Sequence, residues 1–431
     1  MATPTNGNDT LNGTSGTDII DGLGGNDLIR GFGAFDWLIG NTGDDQLFGG
    51  DGNDLLDGGP GDDSLYGGAG MDAARYLDAP GAITVDLRIT TPQNTGGAGI
   101  DQLRSVESVF GSGFDDSITG NAKDNQLEGR EGNDTIFGLG GNDFLSGDAG
   151  SDQLFGGAGD DFFQPDDIGI ADNDTIIGGS GFDRLNYFGV SGAINLDLRI
   201  TAAQNTGAAG IDVVRSIERV ITGEFADSLT GNSADNVLQA NGGDDTIAGL
   251  DGDDILIGGQ GRDQLAGGKG NDTIYGDTFE SGFADVLNGG AGDDSLLGGA
   301  GWDTINGGGG HDTLFGGAGR DIMAGGFGAD SFTFDSITDT APNKHRDHID
   351  DFAKGTDVIN LSGIDADTLL AGDQDFDFIG SAPFSGTRGE LRAHNVGANT
   401  IVAGDANGDG NADFSILVVG VHDLHATDFS L

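Results

Sequence analysis

One aspartate every nine residues constrains this chain more than any other feature. Asp9, Asp18, Asp27, Asp36, Asp45, Asp54, Asp63 and Asp72 form an unbroken register. Two residues after each comes Leu11, Ile20, Ile29, Leu38, Leu47, Leu56, Leu65 or Ala74, and two residues before most of them stands a glycine. The register resumes at Asp116, Asn125, Asp134, Asp143, Asp152 and Asp161, skips four residues, and continues at Asp174 and Asp183. A third run passes through Asp227, Asn236, Asp245, Asp254, Asp263 and Asp272. It skips four residues again and runs from Asp285 through Asp294, Asp303, Asp312 and Asp321 to Asp330. The unit is G-G-x-G-x-D-x-U-x, with U apolar, and a fixed short period of this kind marks a solenoid.

A longer period lies over the short one. Asp72, Asp116 and Asp161 shifted by 111 residues become Asp183, Asp227 and Asp272. The linking segments obey the same shift, AITVDLRITTPQNTGGAGID at 82–101 matching AINLDLRITAAQNTGAAGID at 193–212. A block was duplicated in tandem with its four-residue insertion. The expected organisation is a first repeat block at 1–75, spacer coils at 76–110, a second block at 111–186, spacer coils at 187–221, a third block at 222–334 and a distinct C-terminal segment at 335–431.

The unit has a physical logic. GGxGxD is a turn, because glycine accepts positive φ and lets backbone carbonyls come close to a ligand. The remaining x-U-x is a very short strand with one side chain pointing inward. Successive strands then fall in two opposed sheets, and residues 18 apart become parallel neighbours. The expected fold is all-β, a right-handed parallel β-roll with a C-terminal β cap. Its core is one thin layer of Leu, Ile and Val, little to set against the entropy of ordering 85 glycines.

Charge sharpens the difficulty. The 431 residues hold 72 Asp+Glu against 18 Lys+Arg, a formal net charge of -54. A roll would stack carboxylates in two edge rows at a spacing of about 4.8 Å, and unneutralised rows repel. Hard divalent cations between successive coils resolve this, and an all-oxygen donor set of carboxylates and carbonyls suits Ca²⁺ best, on the order of twenty ions in all. The same charge argues against nucleic acid and anionic membranes as partners, since those need Lys and Arg. The absence of Cys removes disulfides and thiol chemistry. No stretch approaches the roughly 20 apolar residues of a membrane helix, and MATPTNGNDT does not read as a secretory leader.

These repeats resemble the RTX family, the nonapeptide-repeat calcium-binding proteins exported by Gram-negative type I systems. The resemblance covers roughly 4–75, 111–186 and 222–334. It implies that the sixth-position aspartates named above bind Ca²⁺ together with carbonyls of neighbouring Gly-rich turns. Some units depart from the pattern. Asn125 and Asn236 replace Asp, and Phe114, Lys123, Ala226 and Ala234 depart from the Gly-rich turn, so the first units of these runs are expected to be weak or empty sites, and Ala34 raises the same expectation for one early unit.

The spacers carry alternating apolar runs, Ile83, Val85, Leu87, Ile89 and Ile194, Leu196, Leu198, Ile200, which read as half-buried strands. They are expected to continue the solenoid with longer coils and projecting loops at 90–99 and 201–210, either a binding face or ordinary variation. The inserts near 162–173 and 273–284 bring Phe162, Phe163, Phe279 and Phe283, which either stack on a sugar ring or fill a gap in the core.

Residues 329–365 resemble the C-terminal domain of serralysin-type metalloproteases through D-x-I-x-D-F-x-x-G-x-D-x-I-x-L-S, here Asp347, Ile349, Asp351, Phe352, Gly355, Asp357, Ile359, Leu361 and Ser362. DANGDGNAD places Asp405, Asn407, Asp409, Asn411 and Asp413 in alternation, like the start of a helix-loop-helix calcium loop. The acidic residue at loop position twelve is missing, since Ile416 stands there, so the segment is either an additional calcium site or a hairpin turn. The final HATDFSL resembles the uncleaved type I secretion signal of the family, with Asp428, Phe429 and Leu431 matching.

Catalytic patterns are absent. No His precedes a Glu, so H-E-x-x-H is missing, as is G-x-S-x-G. The pairs His345/His348 and His422/His425 read as surface residues. The expectation is a non-enzymatic, extracellular or cell-surface calcium-binding protein that meets the type I secretion machinery. It is either a structural or adhesive component that self-assembles, or a polysaccharide-binding module similar to the repeats of alginate epimerases or secreted glycanases.

Overall fold

Every apolar eighth position becomes the inward-pointing residue of a short strand. The computed structural model describes residues 3–166, 171–277, 282–367, 369 and 374–431. The chain divides into two units, Met1–Gly192 with Ile200–Val220, and Ala193–Arg199 with Ile221–Leu431. The boundary runs through the second spacer.

In the first unit the strands Thr10–Asn12, Leu28–Gly33, Gln46–Asp51 and Ser64–Ala69 pair in parallel, each 18 residues after the last. The alternate repeats build the opposed sheet from Asp18–Asp21, Asp36–Ile39, Leu55–Asp57 and Ala73–Arg75. Within each strand the eighth-position residue points inward and its neighbours point out, so Leu11, Ile20, Ile29, Leu38, Leu47, Leu56 and Leu65 all sit in the interior. The second unit repeats the scheme, for example Thr246–Asp251, Gln264–Lys269, Val286–Ala291, Thr304–Gly309 and Ile322–Phe327. This is a parallel β-roll, and among the described residues helix is confined to two short 3-10 turns.

The spacers rejoin the stack. Ile100–Arg104 pairs in parallel with Ser64–Ala69, Leu103 facing Leu65 across an interval of 38 residues. Gln93–Asn94 returns antiparallel on Ile100–Arg104, and Gln204–Gly207 does the same on Gly210–Arg215. Loop 90–99 therefore folds against the coils instead of projecting throughout: Gln93, Thr95 and Ala98 are buried, and the Gly61 N–H donates to the Ala98 carbonyl at 3.0 Å. In the insert at 162–173, Phe163 occupies an ordinary core position, and Phe162 packs edge-on to Phe144 under the Arg184 guanidinium. Phe283 is exposed, and Phe279 lies outside the described residues.

The C-terminal segment extends the roll before it closes it. His348–Ile349 pairs with Ile322–Phe327, and Val358–Asn360 with Ser331–Thr333. Beyond them Glu390–Val396, Asn399–Asp405 and Phe414–Val418 form an antiparallel cap joined to His348–Ile349. The final Phe429–Ser430 pairs with Val358–Asn360.

Candidate metal centres

The turn of each nonapeptide aims one oxygen of its aspartate back at the preceding coil. Asp36 N–H donates to Oδ1 of Asp54 at 2.8 Å, and Asp54 N–H donates to Oδ1 of Asp72 at 2.8 Å. Repeated at every second unit, this makes ladders of carboxylates. One runs Asp9, Asp27, Asp45, Asp63, and another Asp18, Asp36, Asp54, Asp72. In the second run the ladders are Asp116, Asp134, Asp152, Asp174 and Asn125, Asp143, Asp161, Asp183. In the third they are Asp227, Asp245, Asp263, Asp285, Asp303, Asp321 and Asn236, Asp254, Asp272, Asp294, Asp312, Asp330. The four-residue inserts lengthen a rung from 18 to 22 residues without breaking it. All these side chains are buried except Asp9, which is half-buried in the first coil.

In most rungs only one oxygen of the carboxylate is used. Oδ2 has no hydrogen-bond partner in Asp27, Asp36, Asp45, Asp54, Asp63 and Asp72, in Asp134, Asp143, Asp152, Asp161 and Asp183, or in Asp245, Asp254, Asp263, Asp272, Asp285, Asp294, Asp303, Asp312, Asp321 and Asp330. Buried polar atoms are nearly always partnered, so a whole row without partners points to a missing one. The oxygen lies over the first glycine of its own unit, beside a carbonyl of the next coil. A Cβ built on Gly298 would stand 2.5 Å from Oδ2 of Asp303 and 2.7 Å from the Gly316 carbonyl oxygen. Position two takes positive φ even where it is not glycine, as at Leu139 (φ 78), Asp148 (φ 65) and Leu250 (φ 91), which shows how strongly the coil geometry dictates this turn.

Electrostatics say the same. Burial, then repulsion from neighbouring aspartates, pushes Asp63, Asp134, Asp245, Asp285 and Asp321 up to about 8. Two carboxylates about 4.8 Å apart repel by about 1 kcal/mol in water and about 3 to 4 kcal/mol at an effective dielectric of 20. Over this many rungs the repulsion exceeds the roughly 5–15 kcal/mol stability of an ordinary domain. The rows must bind protons or cations. Among the described residues no three Asp, Glu or His side chains gather as a metal cluster; what the coils offer is an open carboxylate oxygen with backbone carbonyls around it, an all-oxygen set of the kind that fits Ca²⁺.

The first rungs differ. Thr14 donates both its N–H (2.5 Å) and its hydroxyl (2.9 Å) to Oδ2 of Asp18, and Thr5 does the same for Asp9 at 2.7 and 2.8 Å. Ser112 N–H donates to Oδ2 of Asp116 at 2.6 Å. Asn121 and Asn232 N–H groups each donate to the amide oxygen of Asn125 and Asn236 at 2.8 Å. At these positions the chain supplies the partner that it withholds elsewhere.

The ladders end on residues outside the nonapeptide register. Asp63 N–H donates to Asp101, and Asp174 N–H to Asp212, both at 3.0 Å across 38 residues. Asp72 and Asp183 N–H groups reach Glu107 at 3.4 Å and Glu218 at 2.9 Å. Asp321 donates to Asp347 at 2.8 Å and Asp330 to Asp357 at 3.2 Å. The free oxygens of Asp101 and Asp212 are closed by the hydroxyls of Thr95 (2.8 Å) and Thr206 (2.6 Å), whereas Oδ2 of Asp347 is open. Position five makes a second, exposed ladder in the opposite sense, Asp44 N–H to Asn26 Oδ1 and Asp62 N–H to Asp44 Oδ1, both at 3.1 Å. The frequency of Asn and Asp just before the register aspartate is the sequence signal for it.

The DANGDGNAD segment uses its own oxygens internally. Asp405 accepts the N–H groups of Gly408 (2.7 Å) and Gly410 (2.8 Å), and Asp413 accepts those of Ala406 (2.8 Å) and Asn407 (3.0 Å). Asp409 Oδ1 accepts Asn411 N–H at 2.8 Å. It is the turn between two cap strands.

Two family models match the repeats and the C-terminal segment. The RTX calcium-binding nonapeptide repeat matches residues 4–38, 30–65, 39–72, 110–145, 128–163, 168–186 and 221–256. The peptidase M10 serralysin C-terminal family matches 244–431. No curated protein gives a significant match. Among solved structures, the solution structure of the AlgE6R3 subunit from the Azotobacter vinelandii mannuronan C5-epimerase is 28% identical, over 36% of this chain and 81% of that one, with a TM-score of 0.27. The chain is an RTX protein, whose nonapeptides are calcium-binding repeats and whose C-terminal part is a domain of the serralysin type.

Proposed function

We propose that this protein is exported by a type I system and folds outside the cell when Ca²⁺ fills its carboxylate ladders. The observation that carries this reading is the set of rows of buried Asp Oδ2 atoms without partners. On the order of twenty ions at two charges each would offset about forty of the 54 net negative charges. An ion held at about 10⁻⁴ M adds about 1.4 kcal/mol at millimolar concentration, and its charge cancels the repulsion between the carboxylates that hold it. Far below that concentration it adds nothing, and the chain stays extended and able to thread a channel. The proposed ligands are the register aspartates with an open Oδ2. Asp9, Asp18 and Asp116 act as caps, and Asp405–Asp413 is a structural turn.

The C-terminal acidic and apolar residues support the direction of events. Asp428 is buried and accepts the His425 N–H at 2.7 Å, and Phe429 packs on Phe378. A signal that must be read by a transporter is accessible in the unfolded chain and covered once the cap has formed.

Outside, we assign the protein a non-catalytic structural or adhesive role in a matrix, biofilm or surface layer. One observation favours the alternative, a polysaccharide-binding module: Trp302, 62% exposed, and Phe283 line a concavity with Arg262, a surface suited to stacking on sugar rings. Light scattering of the calcium-loaded protein, with and without a polyuronate, tests the two. Ordered multimers without glycan support the structural role. A monomer that binds glycan, and loses it in Trp302→Ala, replaces that role with the alternative. A far-UV spectrum already β-rich in EGTA at pH 8 overturns both readings.

A further inference from the structure

The antiparallel cap carries a basic pocket in this acidic protein. Its register sets Arg392 opposite Ala403 and Ala403 opposite Ser415, with His394 opposite Ile401. Side chains alternate across a strand, so these residues share one face. Leu391, Val402 and Ile416 occupy the other face and are buried. Over the first face lies a cavity of about 320 Å³ whose lining includes Arg346, Phe384, Arg392, His394, Asn411 and Ser415 and contains no carboxylate. With 72 acidic residues against 18 basic ones, two arginines and a histidine meeting in one acid-free hollow run against the composition.

The polar atoms in this hollow want a partner. Nε of Arg392, Nδ1 of His394 and Oγ of Ser415 are buried and make no hydrogen bond, and Ser415 is 2% exposed. Arg392 is held in place by its guanidinium over the Phe384 ring, 5.5 Å from the centroid. Burial and the positive charges of Arg392 and Arg346 hold His394 below the usual histidine range, and burial lowers Arg346 as well. Cations are crowded together here, and no carboxylate lines the walls.

We infer that this cavity is an oxyanion site that takes the carboxylate or sulfate group of a small ligand. The guanidinium forks of Arg392 and Arg346 match planar oxyanions, and Ser415 Oγ and the His394 ring supply the remaining hydrogen bonds. The volume lies at the low end for small-molecule sites, so it admits a single acidic monosaccharide or smaller acid, not a polymer chain lying along it. None of these residues belongs to a carboxylate ladder, so the inference stands apart from the calcium assignment.

The test uses the full calcium-loaded chain. Sulfate and D-glucuronate are titrated separately against chloride at constant ionic strength, and the His394 ring resonances are followed by NMR. Saturable shifts with a millimolar dissociation constant, a rise in the His394 pKa, and binding weakened at least about tenfold in Arg392→Gln support the site. Saturation by sulfate alone assigns it to inorganic anions, and saturation by glucuronate to organic acids. Because Arg392→Gln loses packing on Phe384, Arg346→Gln provides a second variant, with far-UV spectra verifying the fold of each. No saturable shift with either anion, or equal binding in both folded variants, overturns the inference.

Discussion

Oδ1 of Asp54 accepts the Asp36 N–H at 2.8 Å, and Oδ2 of the same carboxylate has no partner. The fold uses half of the carboxylate to hold consecutive coils in register and leaves the other half without a partner. Asp18 shows the contrast, since Thr14 closes its second oxygen. Asp54→Asn keeps the accepting oxygen and replaces the open one with a donor. It is expected to remove one bound ion and raise the calcium midpoint of folding, with a loss of about 1–3 kcal/mol. Asp18→Asn is expected to leave the ion count unchanged. Equilibrium dialysis and calcium-titrated far-UV spectra read both.

The pH dependence without calcium should run opposite to ordinary acid denaturation. Asp63, Asp134, Asp245, Asp285 and Asp321 are raised from 3.8 to about 8 by burial and like charge. The folded state therefore binds more protons than the unfolded chain, and its stability falls as pH rises between about 4 and 8. In EGTA the chain is expected to gain β structure on acidification to pH 4–5 and lose it toward pH 8. Calcium competes with those protons, so its affinity should rise over the same interval. An EGTA sample with identical spectra at pH 4.5 and pH 8 contradicts this.

Backbone strain at position two is also testable. Leu250 holds φ 91 and is flanked by glycine-bearing turns of the same shape. Leu250→Gly should stabilise the calcium-loaded protein by about 1 kcal/mol, the cost of a left-handed L-residue less the entropy of glycine. Gly52, at φ 141, has no room: a Cβ there would overlap the Ala34 carbonyl oxygen. Gly52→Ala should cost about 1–3 kcal/mol. Calorimetric Tm values in saturating calcium check both signs.

At the spacers a hydroxyl takes the place an ion would take elsewhere. Thr206 Oγ1 donates to Oδ2 of Asp212 at 2.6 Å. Thr206→Val removes a donor from a buried carboxylate and should cost about 1–3 kcal/mol while leaving the number of bound ions unchanged. A stoichiometry that rises by one in this variant would assign Asp212 to the ion-binding set instead.

Much of this was legible in the sequence because the period is strict. Asp54, Leu56 and the glycines of one unit predict the turn, the strand and the inward residue of every other unit. The spacing of 18 then predicts which residues stack. The ladder ends were not legible. Asp101, Glu107, Asp212, Glu218, Asp347 and Asp357 join the rows across gaps of 26 to 38 residues, where no fixed period points to them. Nor does spacing distinguish an open carboxylate from a capped one. That depends on whether position two offers a correctly aimed N–H and hydroxyl, as Thr14 does, or turns away in the left-handed region, as Leu250 does.

Anomalous diffraction from crystals grown in millimolar calcium measures the central claim directly. The account predicts peaks in rows along the roll, each bonded to an open Oδ2 such as that of Asp54, Asp254 or Asp303 and to a carbonyl of the neighbouring coil. It predicts none at Asp9 or Asp18. Empty rows in a folded protein, or ions confined to the Asp405–Asp413 turn, would contradict it.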